Sequence, residues 1–140
     1  MPIIVPDPPR TTPQIDLSVE LKVQRRNTAM YIAYDPIQVT LIPRTQTRTP
    51  SGGTKFEDGE PRLAQVMRLI PTTSDQKPTV TLDGKERQID FVLMGQWDAE
   101  MQPYDYWRDE EGQRYEVVEI ISAGKLYERK GLVVLHGHGR

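Results

Sequence analysis

Cysteine is absent from the 140 residues, which excludes disulfide frameworks, thiol nucleophiles and cysteine-ligated zinc. Long apolar runs are missing too: the longest span a few residues, such as Phe91 to Met94, against the roughly 20 that a membrane-spanning helix needs. No membrane partner is expected, and no secretory signal, because the N-terminus has no basic patch leading into an apolar stretch. Neither sign of charge is in large excess, since 18 Lys and Arg against 20 Asp and Glu leave −2. That balance gives no global attraction to nucleic acid, so any DNA contact has to come from a local basic segment. Histidine is scarce. The two present, His136 and His138, sit in a terminal His-Gly-His-Gly-Arg with no third ligand at a recognisable spacing, and neither a metal nor a cofactor is expected.

Catalytic patterns are lacking as well. There is no glycine-rich phosphate loop of the strand-to-helix type and no nucleophile elbow, and Ser51-Gly52-Gly53 is a bend. Asp105, Asp109, Glu110 and Glu111 gather around a turn, where carboxylates stay solvated. No catalytic residue is assigned, and the expectation is a protein that is not an enzyme.

What is present is a chain of one-domain size with a small core: 36% hydrophobic, 27% charged and twelve prolines. Residues 1–15 read as an extended arm, because Pro2, Pro6, Pro8, Pro9 and Pro13 fix φ and remove amide donors. Ile3, Ile4 and Val5 leave two readings open, a loose tail or a strap laid on a neighbouring subunit. Residues 16–34 read as a helical segment, with Asp16 as N-cap, Leu17, Leu21, Met30 and Ile32 as the apolar stripe, and Lys22, Arg25 and Arg26 as a solvated face. Asp35-Pro36 ends it by Tyr34.

From 35 to 140 the period is two. Ile37, Val39 and Leu41 alternate with Gln38 and Thr40, and 62–70, 87–94, 114–121 and 126–135 continue as short strand-like runs. Asp83-Gly84, Glu111-Gly112 and Ala123-Gly124 supply turns. The fold class is therefore mainly β, a small β-barrel or compact sandwich with an N-terminal helix, a proline-rich arm and one long loop. That loop is 44–61, where Pro50, Gly52, Gly53 and Gly59 argue against a regular element. Arg44, Arg48 and Lys55 fall in it with no acid before Glu57, so it projects toward DNA or a partner, or is a solvated loop. Trp97, Tyr104, Tyr106, Trp107 and Tyr115 suit core packing better than a platform for stacked bases.

Several segments in order resemble a known family. They are Tyr34-Asp-Pro-Ile-Gln-Val-Thr-Leu-Ile-Pro-Arg44, the Ser51-Gly-Gly loop with Pro61-Arg62, Met67-Arg-Leu-Ile70, Gln88 to Asp98, Tyr106 to Ile121, and Tyr127 to Gly137. Over about residues 24–137 the chain resembles the head-to-tail stopper proteins of siphoviruses, departing at Ala123-Gly-Lys-Leu126, where a more polar asparagine-glycine turn is expected. The resemblance implies a structural neck protein in a virion, assembled in the host cytoplasm. It would form a homo-oligomeric ring of six or twelve subunits between an adaptor or portal-side ring and a tail-terminator or tail-tube protein. Packaged double-stranded DNA would be held non-specifically by a channel loop, with Arg44, Arg48 and Lys55 neutralising phosphate and Phe56 making loop-to-loop contact. The alternatives are a tail-terminator or tail-completion subunit and a single-stranded nucleic-acid-binding barrel.

Overall fold

The computed structural model describes residues 18–73, 79–82, 84–122 and 125–136. The proline-rich arm, Asp16, Leu17, Asp83, Ala123-Gly124 and His138 lie outside the described residues.

Helix α1 (Val19–Tyr34) begins at Ser18, whose Oγ accepts from the Leu21 amide at 3.1 Å, and ends before Asp35-Pro36 as the sequence predicts. Its apolar positions divide between two faces. Ile32 is buried and Leu21 half-buried against the sheet, while Val19, Val23, Met30 and Tyr34 face outward. The basic residues are not all solvated: the Arg25 guanidinium lies 3.9 Å over the Trp97 ring and its Nε donates to the Leu126 carbonyl at 2.9 Å.

Ten strands follow: β1 (Ile37–Val39), β2 (Arg44–Arg48), β3 (Thr54–Asp58), β4 (Gln65–Pro71), β5 (Thr79–Leu82), β6 (Lys85–Gln88), β7 (Phe91–Gln96), β8 (Tyr106–Arg108), β9 (Arg114–Ile120) and β10 (Glu128–His136). Six form one sheet in the order β1-β4-β7-β10-β9-β8. Every pairing is antiparallel. The sheet closes on itself just beyond β1, where Ile42 and Tyr106 exchange both backbone hydrogen bonds, at 2.8 and 3.1 Å. The molecule is thus a small β-barrel, and closure removes the open edges that an isolated sheet exposes.

Alternation along the strands builds two apolar layers. Val39, Leu41, Met67, Leu93, Met101, Trp107, Tyr115, Val117 and Val133 fill the barrel, with the Trp107 and Tyr115 rings stacked at 4.8 Å. A β-bulge between Leu132 and Val133 re-phases β10 against β9. Leu132, Val134, Val118 and Ile89 pack as a second cluster, joined by Val80 of the β5–β6 hairpin. The turn of that hairpin uses Gly84 at φ +76°, as Asp83-Gly84 predicts, and Gly112 at φ +83° serves β8–β9. The run predicted over 87–94 divides in two, with Ile89 and Asp90 separating β6 from β7.

Two expectations need revision. Residues 44–61 do contain regular structure: β2 and β3 pair in register from Arg44 opposite Asp58 to Arg48 opposite Thr54. Gly52 and Gly53 fall in the turn, where Gly52 has φ +90° and the Thr49 hydroxyl accepts from the Gly53 amide, and Gly59 follows β3. Asp105 is not a solvated turn carboxylate. It is buried, accepts from Arg62 Nε at 2.8 Å and Nη2 at 3.3 Å, and accepts the Gln102 amide at 3.1 Å. The Asp105 hydrogen bond and charge hold the Arg62 guanidinium above its ordinary pKa.

Candidate functional site: a cationic pocket between two hairpins

The β2–β3 hairpin and the β5–β6 hairpin stand on the same side of the barrel and leave a cleft of about 390 Å³. It is lined by Arg44, Phe56, Thr81, Lys85, Arg87, Tyr104 and Glu116. Three cations therefore face one carboxylate, beside two aromatic rings.

Arg44 stands at the centre of the wall. Its Nε donates to the Tyr104 carbonyl at 2.9 Å, its guanidinium lies 4.5 Å from the Phe56 ring centroid, and its Nη2 is 2.8 Å from Glu116 Oε2. That last contact is a close ion pair, and it buries Nη2 against the carboxylate. Glu116 Oε1 in turn lies 2.9 Å from His136 Nε2, and His136 Nδ1 is 3.5 Å from Arg87 Nη2. Arg114 approaches the same carboxylate at 3.9 Å, and its Nε is also buried without a hydrogen-bond partner. Burial lowers the Arg114 pKa, and the nearby Arg44 charge lowers it further. Two guanidinium groups share one carboxylate, so the cluster carries an excess of positive charge that an incoming anion stabilises.

The aromatic side is held by strain. Tyr104 has φ +78°, the left-handed region that non-glycine residues rarely adopt. Its amide donates to the Val117 carbonyl at 2.7 Å, and its ring meets Phe56 at 5.1 Å. Backbone strain of this kind persists where surrounding contacts over-determine it, and here they set one wall of the pocket. Behind it Tyr106 donates to Asp58 at 2.6 Å, and burial followed by that bond raises its pKa.

Of the four residues assigned to a channel loop, the structure brings Arg44 and Phe56 to the pocket. Arg48 lies at the hairpin turn beside Gln46, Thr47 and Thr54, and Lys55 is exposed, 4.0 Å from Glu57. Lys85, Arg87, Tyr104, Glu116 and His136 were not legible as a group, because they lie on a separate hairpin, a loop and two barrel strands that only the tertiary fold brings together. His136 ends β10 and is paired opposite Arg114. Among the described residues no three His, Asp or Glu side chains are grouped to hold a metal ion.

No curated protein matches the chain. The family model of the pyridoxal phosphate biosynthesis protein PdxJ matches residues 9–140. That match overturns the head-to-tail stopper assignment and the expectation of a non-enzyme, for the family is one of pyridoxine 5′-phosphate synthases. With it fall the six- or twelve-subunit ring, the adaptor or portal-side ring, the tail-terminator or tail-tube partner, packaged double-stranded DNA and the place in a virion neck. The tail-terminator alternative falls as well. The stopper resemblance rested on apolar strands separated by glycine turns, a pattern that any small antiparallel barrel needs. The single-stranded nucleic-acid alternative relied on aromatics, and Trp107 and Tyr115 are stacked inside the barrel.

The PdxJ enzymes are TIM barrels, built of parallel strands with a helix after each. The described residues hold one helix and only antiparallel pairings, so sequence match and backbone architecture diverge here. No catalytic position is transferred from that architecture onto this one. By the extent of the match the chain belongs to the PdxJ family of pyridoxal phosphate biosynthesis proteins, carrying an antiparallel barrel where the family has a parallel one.

Proposed function

We propose that the chain acts in pyridoxal phosphate biosynthesis by binding a phosphorylated ring compound, of which pyridoxine 5′-phosphate is the example, in the cleft between the two hairpins. The observation that carries this is the lining: Arg44, Lys85 and Arg87 against the single carboxylate of Glu116. The phosphate sits against Arg44 and Arg87, which offer it charge-assisted hydrogen bonds. Phe56 and Tyr104 offer the flat ring an apolar wall. The cleft is of a size that suits a small molecule.

Glu116 and His136 are the groups able to hold and move a proton beside that ligand, being 2.9 Å apart on neighbouring strands. Arg44 and Arg87 position the pair from either side.

Calorimetric titration tests the reading. Pyridoxine 5′-phosphate is expected to bind with a Kd at least about tenfold below that of unphosphorylated pyridoxine, the margin of one charge-assisted contact. Equal affinity for the two, or no heat from either, overturns it.

A further inference from the structure

A second pocket lies where α1 meets the end of β9 and the start of β10. Its volume is about 450 Å³, and Arg25, Trp97, Ser122, Lys125, Leu126 and Arg129 are among its lining residues. Three of these are cations and none is an acid.

The carboxylate nearest in sequence, Glu128, is already engaged: Lys130 Nζ lies 3.1 Å and Lys125 Nζ 3.7 Å from it. Arg25 and Arg129 have no carboxylate partner among the described residues. Arg25 instead stacks on Trp97 at 3.9 Å and spends its Nε on the Leu126 carbonyl. Arg129 Nε is buried and has no hydrogen-bond acceptor among the described residues. A buried guanidinium without an acceptor is unfavourable, and an anion beside it relieves that. The Ser122 hydroxyl is buried and its oxygen accepts the Lys130 amide at 2.7 Å, which leaves its proton available to donate. Trp97, nearly half exposed at 46%, supplies a flat apolar surface that nothing else on the barrel covers fully.

We propose that this pocket is a second anion site, separate from the cleft between the hairpins, which takes an aryl phosphate monoester with its phosphate on Arg25 and Arg129 and its ring against Trp97. The inference does not depend on the biosynthetic reading, since it uses other residues on another face.

The two tryptophan indole N–H signals of the full ¹⁵N-labelled chain report on it, with Trp97→Phe identifying the one that belongs here. Titration with phenyl phosphate is expected to move the Trp97 signal saturably, inorganic phosphate to do so at least several-fold more weakly, and phenol not to move it. Arg25→Gln and Arg129→Gln are each expected to weaken phenyl phosphate about tenfold, while Arg44→Met leaves the Trp97 response unchanged. Retained dispersion of the amide spectrum shows that a variant is folded, and Arg25, on the helix surface, provides the safer of the two. An unsaturable shift, equal responses to phenol and phenyl phosphate, or an unchanged Kd in a folded Arg25→Gln protein overturns the proposal.

Discussion

The Glu116 carboxylate ties β2 to β10: one oxygen is 2.8 Å from Arg44 Nη2 and the other 2.9 Å from His136 Nε2. Among the described residues it is the one negative group lining the cleft, and it does opposite things to stability and to anion binding. Glu116→Gln removes the charge that separates Arg44 from Arg114, so the two guanidinium groups repel unscreened in a partly buried site. Thermodynamic stability is expected to fall by about 2 kcal/mol in chemical denaturation. The same substitution removes a repulsion felt by an incoming phosphate, and pyridoxine 5′-phosphate is expected to bind several-fold more tightly. A weaker complex would show that the carboxylate contacts the ligand as an acceptor.

Tyr115 gives the barrel an alkaline limit. Burial, then its hydrogen bond to Asp109 at 3.0 Å, pushes the phenol from 10 up to about 12. The raised folded-state value means that the native chain keeps a proton which the unfolded chain releases near pH 10. The stabilisation is therefore complete below pH 10 and is lost as pH rises toward about 12. Tyr106, also raised, adds in the same direction. Denaturation midpoints measured from pH 8 to 12 are expected to decline above pH 10, and Tyr115→Phe to flatten that decline.

Gly131 is required by packing. A Cβ there meets the Met101 sulfur at 2.6 Å and a Val117 methyl at 3.0 Å, inside the core of the barrel. Gly131→Ala is expected to destabilise by about 1–3 kcal/mol, the usual range for overpacking a filled core, as read from the urea midpoint.

Much of the fold was legible because its signals are local. Asp35-Pro36 ends α1 at Tyr34, and Gly84 and Gly112 mark turns whose φ values only glycine adopts freely. The β2–β3 hairpin was hidden by Pro50, Gly52, Gly53 and Gly59, which fall in or beside its turn and ends while the strands themselves are polar and exposed. A strand without a buried face has no alternation to read. The cleft itself was not legible. Arg44 was noted as a basic residue in a polar segment and Phe56 through the stopper resemblance, both for a channel loop, while Glu116, His136 and Arg87 lie on three strands. Glu116 and His136 meet through the β9–β10 pairing and Arg87 through the separate β5–β6 hairpin, which no local pattern encodes. Asp105 was misjudged for the same reason, since its partner Arg62 is 43 residues away. The stopper resemblance, drawn from segments between Tyr34 and Gly137, failed because those segments are structural patterns without a catalytic signature, and such patterns belong to an architecture and not to a function.

A crystal structure of the chain with pyridoxine 5′-phosphate tests whether the cleft between the hairpins holds a phosphate ester on Arg44 and Arg87. Phosphate oxygens are expected within hydrogen-bond distance, roughly 2.7–3.2 Å, of both guanidinium groups, with the ring beside Phe56 and Tyr104. An empty cleft at ligand concentrations that saturate the calorimetric signal, or a ligand seated elsewhere on the barrel, would contradict it.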